Sequence, residues 1–178
     1  MLTKEQILNA LKRLSDELET LGMSGELLLI GGASMCLVHS ARDMTKDIDA
    51  LYEPKTVINQ LVSKIAQEDG LPEDWLNDSV KGFITDSAPR EDFMSFPSLK
   101  ITTVSADYLL AMKLMSARYG ETDYDDIRFL ADKLGISSEE SMSEIVMRYY
   151  PVDSILPKTK YLIEQIVGEK NSEIFVHK

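Results

Sequence analysis

The sequence predicts an α+β fold, with a small mixed β-sheet flanked by helices and a helical part at the C-terminus. Short apolar runs bounded by turn residues alternate with helical periodicity up to Val104, and only helical periodicity follows. The chain has 178 residues, of which 44% are hydrophobic, so it is long enough to bury a core. We expect residues 1–104 to form the sheet-bearing core with an N-terminal helix. Residues 105–178 are expected to pack on it as helices, giving one compact unit.

The first predicted elements are a helix, a buried strand and a short second helix. Thr3-Lys4-Glu5-Gln6 has the form of a capping box, and apolar residues follow it at helical spacing. These residues are Ile7, Leu8, Leu11, Leu14, Leu18 and Leu21. An apolar run over residues 26–30 stops at two glycines, which predicts a buried strand, and residues 33–40 predict a short apolar helix.

The next predicted elements are a second strand, a helix and a third strand. The second strand covers residues 44–52 and is closed by Pro54, and a helix covers residues 56–67. Residues 70–97 contain three prolines, and we predict only a short helix at residues 75–80 there. The alternating segment SLKITTV at residues 98–104 predicts a half-buried strand.

The remaining chain predicts helices only. Ser105 can cap a helix over residues 106–119, and a second helix over residues 123–134 ends at Gly135. Ser138 caps a third helix that extends to about Tyr150, and Pro157 opens a last one over residues 158–168.

Charge and composition exclude several classes of function. Thirty acidic and nineteen basic residues give a net charge of −11, so we expect no non-specific binding to DNA or anionic lipid. A nucleic-acid substrate then needs a local basic patch. The single cysteine, Cys36, excludes an intramolecular disulfide, and the two histidines are too far apart for a helical two-histidine zinc motif. The N-terminal helix resembles neither a signal peptide nor a membrane span, so we expect a soluble cytoplasmic protein.

The segment Leu29-Ile30-Gly31-Gly32-Ala33-Ser34 is the first candidate for chemistry. A predicted strand ends here in two glycines, and a helix begins with a hydroxyl residue close by. Glycines let backbone N–H groups approach a ligand, and a helix N-terminus carries partial positive charge, so this turn suits a phosphate. The alternative is a tight turn that needs glycine only for its backbone angles.

Asp47 and Asp49 form the second candidate. They lie two residues apart on a predicted strand, so both side chains project from one face with Cα atoms about 6–7 Å apart. Ile48 between them points the other way, into the core. Two carboxylates at this spacing can share Mg²⁺, which prefers hard oxygen ligands and accepts substrate phosphates as well. The alternative is a solvated strand face in an acidic protein.

The two candidates together resemble the nucleotidyltransferase superfamily, which has the DNA polymerase β-like fold. Further motifs are similar to small bacterial proteins, the nucleotidyltransferase-like members of toxin–antitoxin and phage-defence loci. These motifs are Thr45-Lys46-Asp47-Ile48-Asp49, Trp75-Leu76-Asn77-Asp78, Tyr108-Leu109-Leu110-Ala111-Met112-Lys113-Leu114, Ala117-Arg118 and Asp123-x-x-Asp126-Ile127. The resemblance covers residues 27–135, which is most of the chain.

The resemblance implies a role for each candidate residue. Gly31, Gly32 and Ser34 would hold the β- and γ-phosphates of a nucleoside triphosphate. Asp47 and Asp49 would bind one or two Mg²⁺ or Mn²⁺ ions. The other implied site residues are Thr45, Lys113, Arg118 and Asp126, with Lys113 neutralising phosphate charge.

Simpler interpretations remain open for the helical residues. Lys113 is then a surface lysine whose stem lies along an apolar helix face, and Asp123, Asp125 and Asp126 only complement a helix dipole.

One feature departs from the family pattern. Many members carry a third carboxylate on a later strand, but the matching strand here has Lys100 where an acid is expected. Asp78 and Asp92 are the candidates to replace it.

Two functions therefore stay open. The first is transfer of a nucleoside monophosphate to a hydroxyl of an acceptor, which is an RNA such as a tRNA end, a protein or a small molecule. The second is a non-catalytic member that acts by binding a partner protein, for example within a toxin–antitoxin pair. An RNA acceptor would approach the strand-bearing side, near Arg42, Lys46, Lys81, Arg90 and Lys100.

Overall fold

The computed structural model of the chain confirms the α+β fold class. It describes residues 1–85, 88–116 and 123–176, except for the side chains of Phe83 and residues 170–176. The chain divides into two compact units. Unit 1 consists of Met1–Gly82 and Arg90–Val104, and unit 2 of Phe83–Pro89 and Ser105–Lys178.

Unit 1 contains the strands. Its elements are β1 (Leu2–Thr3), α1 (Lys4–Thr20), β2 (Gly25–Leu29), α2 (Gly31–Leu37), β3 (Met44–Thr45), β4 (Ile48–Glu53), α3 (Lys55–Asp69), β5 (Leu76–Asn77), β6 (Arg90–Phe96) and β7 (Leu99–Val104). The predicted capping box is present, because Thr3 and Gln6 exchange side-chain to backbone hydrogen bonds at the start of α1. A short 3₁₀ helix, Ser79–Phe83, follows β5.

The main sheet is mixed and has the strand order β5-β4-β2-β7-β6. Strand β2 is antiparallel to β4 and parallel to β7, while β4 is parallel to β5, and β6 is antiparallel to β7. Strands β1 and β3 form a separate antiparallel pair. The central strand β2 therefore lies between the strand that carries Asp49 and the strand that carries Lys100.

One face of this sheet is covered by α1 and α3, and their apolar residues form the core of unit 1. Along β4, Ile48, Ala50 and Tyr52 are buried against these helices, while Asp49, Leu51 and Glu53 alternate with them on the other face. We call that other face the open face. The alternation directs the carboxylate of Asp49 away from the core.

Unit 2 is helical. Its helices are α4 (Ala106–Ser116), α5 (Asp123–Lys133), α6 (Glu139–Tyr149) and α7 (Pro157–Val176), with a 3₁₀ turn at Val152–Ser154. Residues 108–114 of α4 are all buried, and α4 contacts the other three helices. A helix that is buried on all sides is central to its bundle. No helix within the described residues is long and apolar enough to span a membrane.

Two predictions for residues 44–97 were wrong. The second strand is interrupted and forms β3 and β4, and Leu76–Asn77 form a strand where a short helix was predicted. Trp75 explains the latter, because its fully buried indole donates a hydrogen bond to the carbonyl of Val62 in α3. This anchor places Leu76 and Asn77 alongside β4.

Strand β6 was not predicted. It is an edge strand whose residues are exposed or only half-buried, and a bulge between Asp92 and Met94 breaks its alternation. The sequence of this strand therefore lacks the alternation of apolar and polar residues that predicts a strand.

Candidate functional site

The glycine turn after β2 packs directly against Asp49. The Ile30 N–H donates a hydrogen bond to the Asp49 carbonyl at 3.0 Å, which holds the end of β2 beside β4. Gly31 has a φ of +58°. A Cβ atom at this position would lie 2.8 Å from Asp49 Oδ2. Residue 31 must therefore be glycine both for its backbone angle and for the close approach of the carboxylate.

Gly32 makes a second close approach, to Thr45 and Arg42. A Cβ atom on Gly32 would overlap the hydroxyl of Thr45, and it would lie 2.7 Å from Arg42 Nη2. The turn, a hydroxyl, a guanidinium and the Asp49 carboxylate thus meet at one place in unit 1. Sequence reasoning named Arg42 only as a cation near a possible RNA path. Arg42 lies in a loop, and no sequence pattern around it predicts a place in the site.

Asp47 lies in the bend just before β4 and is held by Asn77. The two aspartates lie on either side of the buried Ile48, at the start of β4. Asn77 Nδ2 donates to Asp47 Oδ2 at 3.3 Å, and Asn77 Oδ1 accepts from the Ser79 N–H at 3.0 Å. The second bond fixes the amide so that its NH₂ group faces the carboxylate. Asn77 belongs to the Trp75-Leu76-Asn77-Asp78 motif. Its contact with Asp47 could not be predicted from the sequence, because it depends on the pairing of β4 with β5.

The oxygen donors at this site fit a hard divalent cation. Asp47 and Asp49 supply carboxylates, which Mg²⁺ and Mn²⁺ prefer over sulfur ligands. Within the described residues, no group of three or more His, Cys, Asp or Glu side chains is placed to hold a metal ion. Further ligands for a cation held here would therefore be neutral oxygen donors of the protein, water or substrate oxygens.

Ser34 occupies a different environment from the one expected. Its side chain is fully buried, and its hydroxyl shares a 2.9 Å hydrogen bond with the hydroxyl of Thr103 on β7. This pair ties α2 to the sheet inside the core of unit 1. In this structure the Ser34 hydroxyl serves packing, and its expected phosphate role stays a prediction.

In unit 2, Lys113 forms an ion cluster with two aspartates of α5. Its Nζ lies 2.7 Å from Asp123 Oδ1 and 2.8 Å from Asp126 Oδ2. The side chains of Lys113 and Asp126 are only 5% and 6% exposed. The interpretation of Lys113 as a surface lysine is therefore wrong. Participation of Lys113 and Asp126 in a nucleotide site stays a prediction, and Arg118 lies outside the described residues.

The comparison with protein families gives the relationship of the chain. A family described as "Nucleotidyltransferase of unknown function (DUF6036)" matches residues 7–149. The chain belongs to this nucleotidyltransferase family. The match includes the glycine turn, both aspartates at the start of β4, and the Lys113 cluster. No curated protein and no solved structure is significantly similar to the chain.

The third carboxylate of many nucleotidyltransferases has no counterpart on β7. Leu28 of β2 is level with both Leu51 and Thr102, so the next open-face residues, Asp49 and Val104, are level with each other. Val104 is apolar and fully buried. The position across the sheet from Asp49 is therefore not acidic in this family member.

The two candidate replacements are each engaged by a lysine. Asp78 forms an ion pair with Lys55, and the hydrogen bond from that ammonium holds the pKa of Asp78 below its usual value. Asp92 pairs with Lys100 at 2.9 Å. Recruitment of either carboxylate to the glycine turn would require it to leave its lysine.

Proposed function

We propose that this chain is a Mg²⁺-dependent nucleotidyltransferase. It transfers a nucleoside monophosphate from a nucleoside triphosphate to a hydroxyl of an RNA, protein or small-molecule acceptor and releases pyrophosphate. The observation that supports this most is the close packing of the Gly31-Gly32 turn against Asp49, with Thr45 and Arg42 beside it. Backbone N–H groups for phosphate, a basic side chain and two carboxylates are what this chemistry requires.

The turn side of the site binds the triphosphate. Phosphate oxygens approach the backbone N–H groups of this turn from the side that Asp49, Thr45 and Arg42 do not occupy. The Arg42 guanidinium provides several N–H donors in a fixed plane, which matches phosphate geometry. Thr45 contributes a hydroxyl next to Gly32. These groups stabilise the negative charge that develops on the leaving pyrophosphate.

The carboxylate side of the site would hold the divalent cation. Asp47 and Asp49 are the residues that would bind it, and Asn77 keeps the Asp47 carboxylate oriented. When bound, Mg²⁺ neutralises triphosphate charge and polarises the α-phosphorus. Substrate phosphates and water would supply its other ligands, as is usual for Mg²⁺ in proteins.

The reaction balances without a covalent intermediate on the protein. The acceptor oxygen forms a bond to the α-phosphorus while the bond from that phosphorus to the bridging oxygen breaks, and pyrophosphate leaves with the electron pair. The hydroxyl proton passes to water, because no third carboxylate of the described residues faces Asp49 across the sheet. A transferase of this kind is expected to be slow.

The test uses NTPs labelled at the α-phosphate, with Mg²⁺ and a cell extract as the source of acceptor. We expect the wild-type chain to label an acceptor, and Asp47→Asn with Asp49→Asn to abolish labelling. Asp69→Asn is the matched control, because Asp69 is an exposed acid at the end of α3 in the same unit. Equal labelling by wild type and the double variant would rule out the proposal.

A second function is favoured by the apolar Val104 opposite Asp49. Without an acid at that position, the family member can keep the fold and act by binding a partner protein, for example as half of a toxin–antitoxin pair. Titration calorimetry separates the two functions. Heat from NTP with Mg²⁺ that depends on Asp47 and Asp49 favours the transferase, and no heat at millimolar nucleotide favours the partner protein.

A further inference from the structure

The segment Leu2–Lys4 pairs with the part of unit 1 that carries Thr45 and Arg42. Thr45 belongs to β3, and among the strands that the structure describes, β3 pairs only with β1. Strand β1 continues directly into α1, and the apolar residues of α1 lie in the core of unit 1. The segment Leu2–Lys4 therefore connects Thr45 to the core.

Leu2 and Thr45 share the inner face of the β1–β3 pair. The two residues lie opposite each other, and opposite residues of an antiparallel pair project to the same side with Cβ atoms about 4.5–5.5 Å apart. Leu2 is 3% exposed and Thr45 is 4% exposed, whereas their neighbour Met44 is 41% exposed. Leu2 therefore packs beside Thr45 on the side away from solvent. This packing limits where the Thr45 hydroxyl can lie against Gly32.

The backbone on both sides of Arg42 is held by hydrogen bonds. Before it, the Ala41 N–H donates to the Met35 carbonyl at 2.9 Å. After it, the Asp43 carbonyl accepts from the Lys4 N–H at 3.3 Å. One anchor of Arg42 therefore lies in α2, and the other is the first residue of α1.

The loop that carries Arg42 contains a backbone conformation that needs support. Ser40 has a φ of +51°, in the left-handed region that is costly for residues other than glycine. Such a conformation persists only where surrounding contacts determine it. Lys4 supplies one of these contacts, because its Nζ donates to Ser40 Oγ at 3.4 Å. Lys4 thus contacts the loop both before and after Arg42.

We propose that Leu2 and the backbone N–H of Lys4 are positioning groups of the NTP site, which act through Thr45 and Arg42. The proposal rests on the transferase function, which places Thr45 and Arg42 at the triphosphate. Leu2 and Lys4 themselves touch no substrate. Binding sites lose affinity when their groups are held about 1 Å too loosely. Loosening Leu2–Lys4 therefore weakens NTP binding while the fold is retained.

The first experiment removes the hydrogen-bond donor of Lys4. Lys4→Pro is compatible with α1, because proline is favoured at the first position of a helix and Thr3 before it is extended, with φ −75° and ψ 161°. Lys4→Ala loses the same ammonium but keeps the N–H that binds the Asp43 carbonyl. We expect Lys4→Pro to bind NTP with Mg²⁺ about fivefold more weakly than Lys4→Ala in calorimetric titrations.

The second experiment removes the apolar contact. Leu2→Ala leaves space beside Thr45 and should weaken NTP binding about tenfold. Leu18→Ala is the matched control, because Leu18 is fully buried near the other end of α1. It should lower stability in urea unfolding at least as much as Leu2→Ala, but it should bind NTP like wild type. Leu2→Met fills nearly the same space and should keep wild-type affinity.

The outcomes separate this proposal from the transferase function. Absence of NTP binding by wild type, or binding that survives both Asp47→Asn and Asp49→Asn, would overturn the transferase function. Aspartate-dependent binding in which Lys4→Pro equals Lys4→Ala, or Leu2→Ala equals Leu18→Ala, would overturn only the positioning role.

Discussion

Gly31 and Gly32 are needed for two different physical reasons. Gly31 has a left-handed backbone conformation and touches the Asp49 carboxylate. Gly32 has no positive φ, but the hydroxyl of Thr45 and the guanidinium of Arg42 fill the space that a Cβ would need. A substitution at Gly32 therefore tests the packing of the site without adding backbone strain.

Gly32→Ala is expected to lower NTP affinity by about tenfold or more, since the new methyl pushes Arg42 and Thr45 out of position. Its far-UV circular dichroism should match wild type. Gly82→Ala is the matched control, because a Cβ there meets nothing within 4 Å. Unchanged NTP affinity of Gly32→Ala, measured by calorimetry, would show that this turn does not bind the triphosphate.

Sequence spacing named Asp47 and Asp49 as candidates but did not name their neighbours. The prediction placed both aspartates on one strand, whereas β4 begins at Ile48, so Asp49 lies on the strand and Asp47 lies in the bend before it. Arg42 and Asn77 come from a loop and from a two-residue strand, and their places depend on contacts between segments distant in sequence. The burial of the Ser34 hydroxyl against Thr103 could not be foreseen, because a hydroxyl after a glycine turn faces the ligand or the core depending on the turn geometry.

At the level of elements, α4 organises unit 2 through polar contacts at both ends. At its start, Asp107 accepts hydrogen bonds from the hydroxyls of Ser105 and Tyr149, both at 2.6 Å, and from Arg148 at 2.9 Å. At its end, Lys113 forms the ion cluster with α5. The two contacts fix α6 and α5 against the same buried helix.

The Asp107 contact predicts a stability difference that depends on pH. Burial tends to raise the pKa of Asp107, but its hydrogen bonds outweigh this and hold the pKa below the usual value. A lowered pKa stabilises the fold above the unfolded-state pKa of about 3.9, and that stabilisation disappears as the pH falls through the folded-state pKa. Asp107→Asn should therefore lower the free energy of unfolding by about 1–3 kcal/mol at neutral pH.

Urea unfolding at pH 7 and at pH 3 measures this difference. The gap between Asp107→Asn and wild type should narrow at the lower pH. Asp153→Asn replaces an exposed acid in the same unit and should change the free energy of unfolding little at either pH. A gap that is equal at both pH values would mean that the carboxylate charge is not what stabilises α4 against α6.

The Lys113 cluster predicts a large loss of stability on removal of its cation. Lys113→Met leaves the buried Asp126 carboxylate without its ammonium and should cost about 3–5 kcal/mol. Adding Asp126→Leu removes the buried charge and should recover part of that loss. Chemical denaturation measures these losses. Lys160→Met, at an exposed position on α7, is the control and should leave the free energy of unfolding close to that of wild type. A Lys113→Met variant as stable as wild type would mean that the cluster has no structural role.

Strand prediction failed where elements are short or exposed. Strand β5 has only two residues, and its pairing with β4 is set by the Trp75 anchor under α3. Strand β6 lacks alternation because it is a bulged edge strand. Helices α1 and α3 and strands β2, β4 and β7 carry a one-sided or continuous apolar pattern, so they could be located from the sequence to within a few residues. Helix α7 extends to Val176, well beyond the end predicted at residue 168.

At the level of the whole molecule, each of the two units is built from two separate segments of the chain. Phe83–Pro89 belongs to unit 2, although the segments on either side of it belong to unit 1. The Thr85 N–H donates to the hydroxyl of Tyr108 on α4 at 2.8 Å, which attaches this segment to the helices. No local pattern in residues 83–89 predicts such a contact, because it depends on a residue more than twenty positions away.

The central claim is that the glycine turn and the two aspartates that flank Ile48 form one NTP site. Calorimetric titration of ATP, GTP, CTP and UTP with Mg²⁺ into wild type, Asp47→Asn and Asp49→Asn tests it most directly. We predict saturable binding of at least one NTP to wild type and loss of that binding in both variants. Absence of heat at millimolar concentrations of every NTP, or binding that both variants retain, would contradict the claim.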